Sequence, residues 1–259
     1  LGDKPQLIIT TTPRPTEIIL NLVKRDGVDV HLTQGNTFEN DGNLAESALK
    51  QLRDRYAGTR LGRQELYAEL LQDIEGALWS YSFLERSRIQ KDSLPELERI
   101  VVAIDPAVTA SEDSDETGII VAGKGFDNRY YIVDDCSVRM SPDGWGRLAI
   151  DMFYKYQADR IVAEVNNGGD LVEGLLRNID NTVPYTPVRA SRGKLVRAEP
   201  IAALYEQGKV SHVGMFKELE DQLCSYSPTS KKSPDRLDAL VWALTELSQS
   251  SGKAYWRIS

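Results

Sequence analysis

The feature that most constrains this chain is the order of its apolar runs after Arg99. RIVVAID (Arg99–Asp105) is short, apolar and rich in β-branched residues, as a buried strand requires. ETGIIVAGKG and RYYIVDDCSV follow with Gly-containing turns between them, so three successive strands predict an antiparallel meander. SPDGWGRLAIDMFYKYQ then shows helical spacing behind a Ser-Pro-Asp start. DRIVAEV is a fourth buried strand, LVEGLLRNI a helix, and PYTPVRA a fifth strand. Helices over about Ala198–Gln207 and Phe216–Cys224 precede a last one in SPDRLDALVWAL, Ser233–Leu244. A meander followed by alternating helix and strand predicts an α/β fold with a mixed sheet flanked by helices.

This order is that of a ribonuclease H-like fold, with a five-stranded sheet whose first three strands are antiparallel and whose last two run parallel to the first. Upstream the pattern differs. QLIITTTPRP reads as a buried strand entering a loop, TEIILNLVKR as a helix and VDVHLTQ as a short strand. NLAESALKQLRDRYA and RLGRQELYAELLQ are amphipathic helices. From Gly76 to about Arg99 the periodicity weakens into a connector with some helix. No internal repeat and no low-complexity tract interrupts the chain.

Composition enters as a set of exclusions. With 259 residues, 41% hydrophobic and 27% charged, the chain has the make-up of a globular protein of one large domain or two. No apolar run reaches the length of a membrane span. The opening LGDKPQ carries no signal-peptide pattern and no initiator Met, which leads us to expect a piece of a longer protein. Cys136 and Cys224 supply neither a disulfide framework nor zinc spacing, and a reducing, intracellular setting is expected. A net charge of −8 argues against a general polyanion binder while allowing a local basic patch or an acidic pocket for cations.

The acids carry the chemistry. Asp105 ends RIVVAID, and Glu164 ends IVAE just before VNNGG; alone, each is an ordinary strand-end turn acid. Asp235 and Asp238 stand three residues apart at the entrance of the last helix, sharing one face. Capping by Ser233, Pro234 at the first helical position and the preference for an acid in the first turn account for Asp235 and fit Asp238 less well, since it lies a turn further in and is followed by an apolar run. If the strands bearing Asp105 and Glu164 are neighbours, all of these acids converge at one sheet end. Such carboxylates repel unless a cation lies among them, and oxygen-only ligation suits Mg²⁺ or Mn²⁺. The pattern fits phosphodiester hydrolysis by two ions roughly 3.5–4 Å apart, bridged by a carboxylate.

Other signals are weaker. GIIVAGKG (Gly118–Gly125) misses the phosphate-binding loop because Gly125 stands where the metal-binding hydroxyl belongs, and it reads as a strand. His31 and His212 are the only histidines, so a histidine-based zinc site or a Ser-His-Asp triad is poorly supported; His212 reads as a surface or packing residue. SEDSDE (Ser111–Glu116) reads as a solvated hairpin connection, with an auxiliary metal site as the alternative. Arg189, Arg192, Lys194 and Arg197 form an acid-free basic stretch, either a solvated loop or a set of DNA phosphate contacts.

With these residues assembled, the chain resembles the large terminase subunit of tailed bacteriophages. The resemblance is carried by TTTPRP (Thr10–Pro15), GTRLGRQELYAELL, GALW, AIDPA (Ala103–Ala107), VAEVNNGG, RAEPIAALYEQGKVSHVG and SPDRLDALVWAL. It implies the tail of a packaging ATPase in residues 1–75, a linker in 76–98 and a nuclease domain in 99–259. It implies metal-dependent cutting of concatemeric double-stranded DNA by two Mg²⁺ or Mn²⁺ ions on Asp105, Glu164 and Asp235, with Asp238 matching a further acid of the last motif. The implied partners are DNA, a small terminase subunit and the portal protein, with ATP acting only in the full-length protein and no membrane. The implied location is the host cytoplasm, docked transiently on the procapsid portal. Two alternatives stand beside it: a junction resolvase or transposase of the same fold, and a non-catalytic DNA- or portal-docking module.

Overall fold

The computed structural model describes residues 6–12, 17–56, 60–70, 77–106, 116–165, 170–190, 193–226 and 234–249. The chain divides into two compact units, Leu1–Gln72 and Asp73–Ser259.

The first unit carries three α-helices among its described residues: α1 (Glu17–Lys24), α2 (Glu46–Tyr56) and α3 (Arg60–Glu65). The expected strands in QLIITTTPRP and VDVHLTQ do not form. Residues 6–12 join no ladder, and Leu7 and Ile8 are exposed. Val30 makes only an isolated bridge to Asp26. β-propensity makes a strand only where a neighbour completes the ladder, and none is present among the described residues.

The second unit is built on a mixed sheet in the order β5-β4-β1-β2-β3-β6. Its strands are β1 (Leu97–Asp105), β2 (Gly118–Gly125), β3 (Tyr130–Asp135), β4 (Arg160–Glu164), β5 (Tyr185–Val188) and β6 (Val210–His212). As expected, β1, β2 and β3 are antiparallel, and β4 and β5 continue parallel to β1. The sheet has six strands rather than five. VSH is too short for a periodicity signal, and it forms β6 only by running parallel to β3 at the far edge. There His212 is fully buried, with Nε2 at 2.8 Å from the Tyr205 hydroxyl and Nδ1 at 3.0 Å from Glu220. It is a packing histidine.

Pleating assigns alternate residues to opposite faces. Val102, Ile104, Ile119, Val121, Ile161 and Ala163 form one core with Trp145, Ala149 and Ile150 of α5 (Pro142–Lys155) and Leu176 of α6 (Asp170–Ile179). The opposite face is covered by α9 (Asp235–Ser248), which packs across β1, β2 and β4 and buries Leu237, Leu240, Val241 and Leu244. Between these elements lie α7 (Lys194–Glu206) and α8 (Lys217–Ser225).

The stretch read as a connector contributes α4 (Tyr81–Ser87) to this unit, packed against β6, α7 and α8, with Trp79 and Leu84 buried. Arg88 fastens it to Glu220 at 2.7 Å. Burial opposes the charged form of Glu220, but hydrogen bonds from Arg88 and His212 hold its carboxyl down at about 2. The last helix departs from the expected cap. Pro234 is the N-cap rather than the first helical residue, and Ser233 lies outside the described residues. Helix α7 starts four residues before the expected Ala198 and carries Pro200 inside. The basic residues ahead of Ala198 are helical as well.

Candidate functional site

The placement of the acids follows from strand parity. In the parallel pair β1–β4, Ile104 lies opposite Ala163, so the next step along each strand sets Asp105 beside Glu164. Asp105 shares its face with Val101 and Ala103, and Glu164 with Val162, which is the face that α9 covers. Glu164 is buried and accepts from the indole Nε1 of Trp242 in α9 at 2.9 Å.

Asp235 and Asp238 come from the first turn of α9, both buried. Their i, i+3 spacing places them on one side of the helix, and Trp242 follows at i+4 from Asp238. Asp235 is seated by backbone contact: a Cβ on Gly118 would stand 2.1 Å from its carbonyl oxygen. The absent side chain lets the helix start lie directly on β2. The Asp238 amide donates to the Pro234 carbonyl at 2.8 Å, the first bond of the helix.

The electrostatics record the convergence. Asp105 is pushed well above the usual carboxylate range, first by burial and then by the charges of Asp238, Glu164 and Asp235, with Lys194 pulling the other way. Asp238 is also raised, by burial and by Glu164, although Lys194 and Arg197 oppose the shift. The structure thus brings Asp105, Glu164, Asp235 and Asp238 into one electrostatic cluster.

The basic stretch divides. Lys194 forms an ion pair with Asp238 Oδ2. Arg197 lies between two acids, with Nη1 at 3.3 Å from Glu164 Oε2 and Nη2 at 3.1 Å from Asp238 Oδ1, its guanidinium over the Trp242 ring. Arg189 is exposed beyond β5, and Arg192 lies outside the described residues. The solvated-loop reading therefore fails for Lys194 and Arg197, because the acids opposite neutralise them. Of the acidic loop, Glu116 is paired with Arg236, and residues 111–115 lie outside the described residues.

An all-oxygen, carboxylate donor set fits Mg²⁺ or Mn²⁺. Among the described residues, no three His, Cys, Asp or Glu side chains already stand at ligating separation. Lys194 and Arg197 balance the charge of Asp238 and Glu164 in this arrangement.

Sequence reasoning missed the Arg197–Trp242–Glu164 contacts and the Arg236 pairing. For Trp242 a signal was available: it falls on the helix side defined by Asp235 and Asp238. For Arg197 and Arg236 none was, since each partner is remote in sequence.

The nuclease domain of human cytomegalovirus terminase, soaked with Mn and inhibitor-bound, superposes with a TM-score of 0.51 at 14% identity, over 66% of this chain and 96% of that one. The large terminase of a thermophilic bacteriophage, in complex with ADP, superposes with a TM-score of 0.51 at 13% identity, over 82% of this chain and 55% of that one. At these identities the likeness speaks for the fold. A comparison with curated proteins finds no match. No described helix is long and apolar enough to cross a membrane. The family model for the terminase RNaseH-like domain matches residues 102–247, more than half of the chain and every acid of the cluster. This chain belongs to the terminase RNaseH-like domain family.

Proposed function

We propose that the chain is a divalent-metal-dependent endonuclease that cuts concatemeric double-stranded DNA during packaging. The observation that supports this reading is the meeting of two strand-end acids with two helix-borne acids in a cluster where burial, and after it the neighbouring carboxylates, raise Asp105. Asp105, Glu164 and Asp235 would hold Mg²⁺ or Mn²⁺, with Asp238 as a further ligand. When bound, two such ions activate water and stabilise the leaving oxygen of a phosphodiester. The protein's own part is placement. Asp105 and Glu164 are held by adjacent strands of the core, and α9 presents Asp235 and Asp238 from a rigid, buried helix.

Arg189 and Arg192 are proposed to contact the DNA backbone. Lys194, with 39% of its side chain exposed, faces both Asp238 and an approaching phosphate. Arg197, at 10%, acts inside the cluster and reaches DNA only if metal displaces it. Residues 1–75 are proposed as the end of a packaging ATPase region and 76–98 as its connection to the nuclease. The proposed partners are the small terminase subunit and the portal protein, reached in the host cytoplasm.

Nicking of supercoiled plasmid tests the reading. Conversion to open-circular and linear forms is expected with Mn²⁺ or Mg²⁺, none in excess EDTA, and none with Asp105→Asn. Cutting that survives EDTA would overturn the metal mechanism. A preference for four-way junctions over linear DNA would favour a resolvase instead.

A further inference from the structure

Arg236 stands between the two acids of α9 in sequence, yet its side chain serves other partners. Its Nε and Nη2 donate to Oε2 and Oε1 of Glu116 at 2.8 and 2.7 Å, and its Nη1 donates to Oδ2 of Asp135 at 2.5 Å. Glu116 sits two residues before β2, and Asp135 ends β3. Asp135 is itself fixed, since the Ser137 amide and hydroxyl donate to its Oδ1 at 3.1 and 2.6 Å. The pairing with Asp135 is buried, with 11% of the Arg236 side chain exposed and 4% of the Asp135 side chain.

This clamp acts where α9 meets the sheet. Asp235 lies on Gly118, where there is no room for a Cβ, and the next residue grips the chain on either side of β2 and β3. The Leu237 amide donates to Gln222 Oε1 at 2.8 Å, adding a third tie in the same turn. The far end of the helix is held separately, by Glu246 with Arg99 and with Arg160 at 3.3 Å. A planar, always-charged fork can hold a bidentate carboxylate and a second acid at once, which a lysine ammonium cannot.

We propose that Arg236 is a positioning residue: by clamping the first turn of α9 onto Glu116 and Asp135, it fixes Asp235 and Asp238 opposite Asp105 and Glu164. The role rests on the metal-nuclease reading. It makes a prediction opposite in sign to plain electrostatics. A positive charge near a cation site opposes cation binding, so deleting it for charge alone should tighten Mn²⁺. Deleting a positioner should weaken Mn²⁺, because the ligands lose their fixed geometry.

The test is calorimetric titration of Mn²⁺ into the whole chain, well below its melting temperature, for wild type, Arg236→Gln and Arg236→Lys. Circular dichroism in EDTA establishes that each variant is folded. Arg236→Gln is expected to bind Mn²⁺ about 10–100-fold more weakly. Arg236→Lys keeps the charge and loses the fork, so it is expected to weaken Mn²⁺ by a smaller factor in the same direction. Should Arg236→Gln fail to fold, Arg236→Lys decides alone. Equal or tighter Mn²⁺ binding in the folded variants, with a binding wild type, overturns the role of Arg236. A wild type that binds no Mn²⁺ overturns the nuclease reading itself, and the positioning role with it.

Discussion

The indole nitrogen of Trp242 donates to Oε2 of Glu164 at 2.9 Å, and the Arg197 guanidinium stacks over the same indole, 4.5 Å from its centroid. One side chain in the middle of α9 thus holds the acid at the end of β4 and the cation that neutralises it. Trp242→Phe removes the donor while keeping an aromatic ring. Trp242→Phe is expected to lower stability by about 1.5–3 kcal/mol, the scale of a buried hydrogen bond to a charged group. Urea titration in EDTA measures it, and a change under about 0.5 kcal/mol would remove the bond from the account.

Asp105 contributes to the pH dependence of the metal-free protein. Its folded pKa lies well above its ordinary 3.8, so ionising it costs more in the fold than in the unfolded chain. The folded state binds its proton more tightly, so the Asp105 contribution to stability in EDTA should rise as pH falls from the raised value toward 3.8. Asp105→Asn should be more stable than wild type in EDTA at neutral pH and should lose this part of the pH dependence. Melting curves at several pH values check it; a less stable Asn variant would contradict the like-charge cluster.

Asp235 and Asp238 are tested by the same change. The N-cap of α9 is Pro234 and makes no side-chain cap bond, so neither acid is the cap residue. Asp235→Asn is expected to keep the helix and the melting temperature in EDTA while losing most cleavage and most Mn²⁺-induced stabilisation. Asp238→Asn should show the same losses to a smaller or equal degree. Full cutting by both variants would exclude a ligand role.

Gly118 tests the seating of the helix. An added Cβ would lie 2.1 Å from the Asp235 carbonyl and 3.1 Å from the Ala239 Cβ. Gly118→Ala must therefore shift α9, at a cost of about 1–3 kcal/mol or more, and should weaken Mn²⁺ binding in whatever folded protein remains. Thermal melts with and without Mn²⁺ would show both losses, and an unchanged Mn²⁺ response would separate the seating from the site.

Arg189 is the described basic residue left facing solvent by the division of the basic stretch. If it contacts a phosphate, Arg189→Ala should weaken DNA binding uniformly across sequences and reduce the salt slope by about 1, with Mn²⁺ affinity unchanged. Fluorescence anisotropy across a salt series gives the slope, and an unaltered slope would return Arg189 to the solvated surface.

Much of this was legible in the chain itself. RIVVAID and DRIVAEV declare buried strands by composition, and each carries an acid at its carboxyl end; one parallel pairing then sets Asp105 beside Glu164. SPDRLDALVWAL declares a helix whose acids share a side. These are local properties, set by the periods of strand and helix, so sequence alone determines them. Tertiary structure decided what depends on remote partners. The QLIITTT stretch has strand composition but joins no ladder among the described residues, whereas the three residues of β6 become a strand because β3 offers an edge. Whether Arg197 and Lys194 face solvent or acid, and whether Arg236 serves its neighbours in sequence or Glu116 and Asp135, was settled by packing. A charged side chain is drawn to whichever opposite charge the fold brings within reach, and no local pattern encodes that distance.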